Sequence, residues 1–363
     1  MDISELDSVP QWSKNFWNPY ISPVTDWGRP VDRDDGRIPA SVLFDNFYNG
    51  IKKYNMKWHD SDTHELFLKQ YKLLNPNYHN KEINYTFNAH GYRSESFDSI
   101  ADLKIISLGC STSFGTGIDD KDVWSVLLSK LISDKFNKNV KVYNLSIPGA
   151  SADLNAITLY QLIGIIKPNI VLWLPPSSSR RIINCYYSQE MLFKKKLNKD
   201  PSLLQHKYTQ VVPNNLDQFP GMEHIISDSQ NYNNLVKNHA MINEICLNNN
   251  AIFKSFNNIL ILNDAFKTYF KNHSSISENK AGDAVMGAIK GTEIDLFNKL
   301  DNVINNVDLI KYSEEFFSKQ SKEDLHIHIK YPTSRDNIHQ AELFHKYLAY
   351  IAINMITEKD FQI

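Results

Sequence analysis

The chain has 363 residues, of which 42% are hydrophobic and 22% are charged, so it is long enough for one large folded domain or two smaller ones. Its formal net charge is −2, without the excess of positive charge that marks nucleic-acid-binding proteins, and a nucleic-acid partner is therefore not expected. The three cysteines are widely spaced, which argues against a disulfide framework and favours a reducing compartment.

Residues 1–100 are rich in tryptophan and proline, as in QWSKNFWNPY and TDWGRP. The acidic start, MDISELDSVPQ, lacks the apolar core of a secretory signal peptide, so we expect synthesis in the cytoplasm. A helix is predicted in THELFLKQYKLL, and an extended segment with a turn at Gly91 in INYTFNAHGYRSESF. We expect this region to be an extension wrapped on the core, with a separate domain as the alternative.

Residues 101–363 are predicted to form the main domain, with insertions at about 185–230 and 257–322. The runs KIISL, KVYNLSI and NIVLWL predict buried strands, and DVWSVLLSKLI and ADLNAITLYQLIGII, which lie between them, predict helices. This alternation predicts right-handed crossovers and a central parallel sheet. A helix in NNLVKNHAMINEICL, a strand near AIFKSF and a C-terminal helix in AELFHKYLAYIAINMI follow. No run is apolar for long enough to cross a bilayer, so a membrane partner is not expected.

Small hydroxyl residues follow the first predicted strand, in the loop GCSTSFGTG. In an open parallel sheet, ligands bind in the crevice beyond the carboxyl ends of the strands. Gly109 allows a sharp exit from the strand, and a serine placed here lies near backbone N–H groups that stabilise a developing oxyanion. The loop is therefore a candidate site for nucleophilic catalysis.

A serine nucleophile needs a base that is held by a third group. Asp336 precedes His339 by three residues, just before the last predicted helix. In a turn, this spacing puts the carboxylate against one ring nitrogen and leaves the other free, as in a serine triad.

These motifs resemble those of the SGNH (GDSL-type) hydrolases. GCSTSFG is similar to their first motif, G-D-S-x-T-x-G, and DNIH is similar to their last motif, D-x-x-H. NLSIPGAS resembles the second block, whose glycine, here Gly149, donates a backbone N–H to the oxyanion. The resemblance covers roughly residues 101–184, part of 231–256, and 323–358. It implies a flavodoxin-like α/β/α three-layer sandwich, Ser111 as the nucleophile, and no metal or organic cofactor.

Two positions depart from the family pattern. Cys110 replaces the aspartate of the first motif, which is not the triad carboxylate. Ser177 stands where the third block has an asparagine that completes the oxyanion hole, and the loss of one such donor typically lowers the rate by ~10²-fold or more. The nearby Arg180 is a candidate for binding an acidic substrate, and capping or pairing with carboxylates is the alternative.

The resemblance implies a serine esterase that forms an acyl-enzyme, with an ester-bearing substrate such as an acetylated glycan. One alternative is acyl transfer to a sugar hydroxyl by the same triad. Another is a structural or glycan-binding protein without catalysis on the same fold, for example a component of a virus particle. The sequence leaves the acyl group, the alcohol and the oligomeric state open.

Other side chains have competing interpretations. Cys110 is a rival nucleophile, although small buried thiols at strand ends are usually inert. His326 and His328 in DLHIHIK alternate onto one face of a predicted strand, which suggests a metal site without firm further ligands. His90 and Arg93 either line the crevice or belong to a turn. The three tryptophans of the extension either stack on sugar rings or pack on the core, the second being favoured: Trp12, Trp17 and Trp27.

Overall fold

The computed structural model describes residues 53–58, 62–88, 92–97, 99–176, 181–183, 209–211, 228–256, 300, 302–331, 333–337 and 339–361. The predictions for residues 1–52, including the three tryptophans, lie outside these ranges. So do His90, Gly91, Ser177 and Arg180.

Within the described ranges, four parallel strands form the central sheet. The strands are β3 (Leu103–Leu108), β4 (Val140–Asn144), β5 (Ile170–Trp173) and β8 (Ile252–Ser255). Their order across the sheet is β4-β3-β5-β8, so the first strand in the chain pairs with both the second and the third. This order corresponds to the flavodoxin-like doubly wound arrangement, in which the crevice opens at the carboxyl end of the first strand. The predicted strands in KIISL, KVYNLSI, NIVLWL and AIFKSF are confirmed.

Two pairs of short strands lie outside the central sheet. β1 (Lys53–Met56) pairs antiparallel with β2 (Tyr85–Asn88), and β6 (Arg181–Ile183) pairs antiparallel with β7 (Thr209–Val211).

Eight helices are present in the described ranges: α1 (His64–Gln70), α2 (Ser111–Phe114), α3 (Trp124–Phe136), α4 (Ala152–Ile166), α5 (Asp228–Leu247), α6 (Asn306–Ser318), α7 (Lys322–Lys330) and α8 (Glu342–Met355). Short 3₁₀ turns cover Pro76–Tyr78, Asp120–Asp122 and Glu358–Phe361. None of the helices in these ranges has the length and apolar character needed to cross a membrane.

Alternate side chains of the strands point into two separate apolar layers. Ile105, Ile170 and Leu172 pack with α3, α6 and α8 on one face of the sheet. Ile106 and Val171 pack with α4 and α5 on the other face. Because successive residues of a strand point to opposite faces, strands buried on both sides read as continuous apolar runs. The fold is therefore the α/β/α three-layer sandwich that the sequence predicts.

The segment 305–318, at the end of the predicted second insertion, packs into the core. Helix α6 begins at the cap residue Asn305, whose side chain accepts a hydrogen bond from the Asp308 N–H. Its residues Leu309, Phe316 and Phe317 are buried in the same apolar layer as α8. The last part of the insertion therefore belongs to one of the two helical layers.

The strand predicted in DLHIHIK is wrong, because this segment forms helix α7. Ser321 caps the helix by accepting a hydrogen bond from the Asp324 N–H. Residues two apart on a helix point about 200° away from each other, so His326 and His328 do not share a face. Burial lowers the pKa of the His328 imidazole to about 4. Within the described ranges, no three His, Cys, Asp or Glu side chains are grouped closely enough to hold a metal ion.

Candidate active site

The loop after β3 holds Ser111 at the start of the four-residue helix α2. Cys110 precedes the helix in an extended conformation, and Gly115 ends it with φ 87°. A Cβ atom on Gly109 would lie 2.5 Å from the Cβ of Ser113 and 3.1 Å from the Leu174 carbonyl oxygen. Only glycine allows this close approach, so the chain turns sharply at the strand end and brings Ser111 to the carboxyl edge of the sheet.

Ser113, two residues further on, is a structural anchor. Its Oγ accepts hydrogen bonds from Nε1 of Trp124 at 3.0 Å and from Oγ of Ser146 at 2.7 Å. Its carbonyl oxygen accepts a third from Nδ2 of Asn144 at 3.2 Å. Ser113 has no exposed surface, whereas Ser111 keeps 7% of its surface exposed. Of these two serines, Ser111 is therefore the one with surface exposed to solvent.

Asp336 and His339 form a hydrogen-bonded pair before α8. The Asp336 Oδ2 lies 2.6 Å from Nδ1 of His339, and Oδ1 accepts from the His339 backbone N–H at 3.0 Å. Oδ1 also lies 2.8 Å from the hydroxyl of Ser334. The carboxylate is fully buried, while 14% of the imidazole side chain is exposed. The carboxylate thus fixes the orientation of the ring and directs Nε2 away from itself.

The loop of the pair packs directly on the loop of Ser111. Oγ1 of Thr112 donates a hydrogen bond of 3.1 Å to Oε1 of Gln340. The Arg335 N–H donates to the Gly117 carbonyl oxygen at 3.3 Å. A Cβ atom on Gly117, which has φ 77°, would lie 2.3 Å from Oγ of Ser334. The residues next to Ser111 and His339 in sequence therefore touch, and both loops lie at the same edge of the sheet.

Gly149 lies in the next loop along this edge, after β4. The turn is closed by a hydrogen bond of 2.9 Å from the Ala150 N–H to the Ile147 carbonyl oxygen. Pro148 and Gly149 occupy its centre, and φ of 76° at Gly149 matches the glycine position of a type II turn. The Ile147 N–H donates to the Gly109 carbonyl oxygen at 3.3 Å, so the turn is tied to the exit of β3.

Asn155 joins the strand ends from the first turn of α4. Its Nδ2 donates to the Gly109 carbonyl oxygen at 3.1 Å, and its Oδ1 accepts from Nε1 of Trp173 at 2.9 Å. Because Asn155 is fully buried, these bonds hold the ends of β3 and β5 in a fixed relation.

Arg93 is buried and does not line an open crevice, because it binds the back of the Ser111 loop. Its guanidinium donates to the carbonyl oxygens of Gly115 at 2.7 Å and Ile118 at 2.6 Å, and its Nε donates to Asp120 at 2.7 Å. It also lies 4.3 Å from the ring centre of Tyr85. Sequence reasoning missed this role because all three bonds are to residues more than 20 positions away.

The remaining candidates divide into those the structure describes and those outside it. Cys110 is a buried, free thiol at the start of α2. Arg181 begins β6. Ser177 and Arg180, the predicted third oxyanion donor and substrate-binding cation, lie outside the described residues.

A comparison with models of known protein families found no match, and a comparison with curated protein sequences found none. Among solved structures, TesA aligns at 13% identity over 69% of this chain and 97% of its own, with a TM-score of 0.35. The psychrotrophic esterase EstA from Pseudoalteromonas sp., inhibited by monoethylphosphonate, aligns at 12% identity over 69% and 95%, with a TM-score of 0.36. LAE5, an alpha/beta hydrolase from the metagenome of Lake Arreo, Spain, aligns at 11% identity over 72% and 97%, with a TM-score of 0.33. Alignments this weak carry no argument about activity.

Proposed function

We propose that the chain is a serine esterase of the SGNH type, with Ser111 as the nucleophile, His339 as the base and Asp336 as the orienting carboxylate. The observation that carries the proposal is the 2.6 Å contact between Asp336 Oδ2 and His339 Nδ1. It occurs on a loop that is hydrogen-bonded to the turn carrying Ser111. The proposal is supported by a buried carboxylate that orients an imidazole on a loop in contact with the serine turn, because acyl transfer needs a serine hydroxyl within reach of an oriented base.

The chemistry follows from the tautomer that the carboxylate selects. With the Nδ1 proton donated to Asp336, Nε2 has a free electron pair that accepts the Ser111 hydroxyl proton as Oγ bonds to the ester carbonyl carbon. Collapse of the tetrahedral intermediate breaks the ester C–O bond, and His339 returns the proton to the departing alcohol. Water, deprotonated by the same nitrogen, then releases the acid and restores the serine.

The oxyanion of each tetrahedral intermediate needs hydrogen-bond donors in fixed positions. We assign this role to the backbone N–H groups of Ser111 and Gly149, with the Ser177 hydroxyl as a third donor. The Gly149 turn is suited to the role because the hydrogen bond from the Ile147 N–H to the Gly109 carbonyl oxygen holds it in position at the end of β3.

The limited exposure of Ser111 favours a small acyl group. With only 7% of its surface exposed, the serine is less accessible to a bulky long-chain ester than to an acetyl ester. An O-acetylated carbohydrate is the substrate class that we propose, and Arg180 is proposed to contact an acidic part of it.

The test is hydrolysis of p-nitrophenyl acetate by the wild type, Ser111→Ala and Cys110→Ala. We expect Ser111→Ala to lose at least about 10³-fold in kcat, since removal of a triad member leaves only binding and oxyanion stabilisation. Cys110→Ala should keep most of the activity. Equal rates in the wild type and Ser111→Ala would remove the catalytic role and leave the structural or glycan-binding alternative. Adding a sugar acceptor separates hydrolysis from acyl transfer, because a transferase would form the acetylated sugar.

A further inference from the structure

A closed ring of hydrogen bonds connects the N-terminal region to both loops of the candidate site. The Gly117 N–H donates to the Tyr85 hydroxyl at 2.7 Å, and that hydroxyl donates to Oδ2 of Asp62 at 2.5 Å. Asp62 accepts from the Arg335 guanidinium, and the Arg335 backbone N–H donates back to the Gly117 carbonyl oxygen at 3.3 Å. We call these four residues the Asp62 ring.

The bond between Asp62 and Arg335 is the strongest part of this ring. Nε of Arg335 donates to Oδ1 at 2.9 Å, and Nη2 donates to Oδ2 at 2.6 Å, so the carboxylate is gripped at both oxygens. Nη2 also donates to the Lys57 carbonyl oxygen, and the guanidinium stacks 3.8 Å from the ring centre of Trp58. Only 4% of the Arg335 side chain and 1% of the Asp62 side chain are exposed. Two parallel hydrogen bonds in a buried site hold the guanidinium in a single orientation relative to the carboxylate. The pair therefore restrains the position of the backbone at Arg335.

That backbone carries the proposed acid–base pair. Arg335 immediately precedes Asp336, and Ser334 on its other side lies 2.8 Å from the Asp336 carboxylate. The same Ser334 hydroxyl lies 3.1 Å from the Thr116 carbonyl oxygen in the loop of Ser111. The side chain of Arg335 contacts Lys57, Trp58 and Asp62, whereas the next residue, Asp336, binds His339. The N-terminal region is therefore attached to the chain one residue from the carboxylate.

We propose that Asp62 is a positioning residue for the Asp336–His339 pair and acts through Arg335. This inference rests on the proposed function. It assigns part of the organisation of the active site to the N-terminal region, which lies outside the residues that resemble the SGNH family. Asp62 binds neither the substrate nor the reacting atoms; it keeps the Asp336 carboxylate at the position that orients the imidazole.

The test compares Arg335→Lys and Asp62→Asn with the wild type on p-nitrophenyl acetate. Lysine keeps the charge but cannot grip both carboxylate oxygens, and asparagine leaves the guanidinium buried without an anion. We expect kcat to fall by about 10- to 100-fold with KM within about 2-fold, because a displacement near 1 Å in the catalytic group has that effect. The milder Tyr85→Phe, which removes one hydroxyl from the ring, provides a folded variant if the others do not fold.

Two further readouts separate positioning from a general loss of stability. A less well-held carboxylate stabilises the imidazolium less, so the acid limb of kcat/KM should move to lower pH in each ring variant. The control is Asp360→Asn, which breaks the partly buried ion pair with Lys254 at the C-terminal end of the chain. Its acid limb and its kcat should match those of the wild type, even where its unfolding midpoint falls.

Failure of this inference is distinguishable from failure of the proposed function. The downfield NMR signal of the His339 Nδ1 proton reports its hydrogen bond to Asp336 without any turnover. A weakened or shifted signal in Arg335→Lys supports positioning even if the wild type hydrolyses no ester. An unchanged signal, together with unchanged kcat and an unmoved acid limb in the ring variants, would overturn it.

Discussion

The hydroxyl of Thr112 donates to the side-chain oxygen of Gln340 across a separation of 228 positions in the chain. This bond joins the residue after Ser111 to the residue after His339. This hydrogen bond limits the distance between the two loops at the edge of the sheet. It therefore helps to hold the turn that carries Ser111 against the turn that carries His339. The proposed catalysis depends on this meeting of two distant segments.

Asp336→Asn tests the role of the carboxylate with little change in shape. The single amide oxygen of asparagine would accept from the His339 N–H and the Ser334 hydroxyl, so the NH₂ group would face Nδ1. The imidazole would then be held in the wrong tautomer, and we expect kcat to fall by about 10³–10⁴-fold. Steady-state kinetics on p-nitrophenyl acetate measure the effect. A fall in kcat of less than about 5-fold, in a variant with wild-type stability, would contradict the orienting role of the Asp336 carboxylate.

Gly149→Ala tests the oxyanion turn. With φ of 76° at this position, an alanine is strained, and relaxation of the turn would displace the N–H that we assign to the oxyanion. We expect kcat to fall by about 10²-fold with little change in KM. The matched control is Gly164→Ala in α4, where an added Cβ meets nothing within 4 Å. It should raise the stability by about 0.5–1 kcal/mol and leave the activity unchanged.

Arg93→Met tests the hydrogen bonds by which Arg93 holds the back of the Ser111 loop. Several buried carbonyl oxygens lose their donor, at about 1–3 kcal/mol for each group left unsatisfied, so we expect the free energy of unfolding to fall by at least about 3 kcal/mol. Urea denaturation measures the loss. Lys141→Met is the control, since the Lys141–Glu95 ion pair is 28% and 53% exposed and should contribute about 0–1 kcal/mol. Similar losses of unfolding free energy in both variants would show that the hydrogen bonds of Arg93 do not stabilise the Ser111 loop.

His345 should make the stability depend on pH. Burial lowers the pKa of its imidazole to about 3, and its Nδ1 accepts a hydrogen bond of 3.2 Å from the Trp124 N–H. The titratable or charged groups around it, Glu342, Arg93 and His339, have smaller effects on this pKa. The unfolded chain binds the proton more readily, so the stability is full above pH 6.5 and falls as the pH drops toward about 3.

His345 alone should contribute a slope of about 1.4 kcal/mol per pH unit in this window. Urea denaturation at a series of pH values measures it in the wild type and in His345→Gln, whose amide oxygen can still accept from the backbone of Trp124. The variant should lose about half of the total slope between about pH 6.5 and 4, because burial also lowers the pKa of His328 to about 4, and that imidazole contributes a similar slope there. An identical slope in both proteins would contradict the assignment to His345.

The layered fold was predictable from the sequence because the two inner strands of the sheet, β3 and β5, are buried on both faces. Runs such as KIISL and NIVLWL are apolar at successive positions, and the helices between them show one apolar stripe. These are local patterns, and the order of a parallel sheet follows from few topological rules. The pairing of Asp336 with His339 was predictable for the same reason, since its two members are three residues apart.

Helix α7 shows how a local pattern misleads. The alternation in DLHIHIK has the period of a strand, but Ser321 followed by Glu323 and Asp324 is the start signal of a helix. The capping serine and the acidic residues of the first turn favour a helix more strongly than the short apolar–polar alternation favours a strand. A strand of that length needs a partner strand for its backbone hydrogen bonds, whereas a helix forms them within itself.

The contacts that support the site could not be predicted, because they join residues far apart in the chain. Asp62 binds Arg335 across 273 positions, and Tyr85 binds the Gly117 N–H across 32. A single sequence contains no sign of which charged residue meets which. A buried arginine is also indistinguishable, by its neighbours in sequence, from one at the surface.

Covalent labelling with a fluorophosphonate probe tests the central claim most directly, because the probe reacts with a serine that is activated by a base. Peptide mass spectrometry of the labelled wild type should place the phosphonyl group on Ser111, and labelling should be lost in Ser111→Ala and strongly slowed in His339→Ala. Labelling of Cys110 or of another residue at an undiminished rate in Ser111→Ala, or no labelling of a folded wild-type protein, would contradict the account.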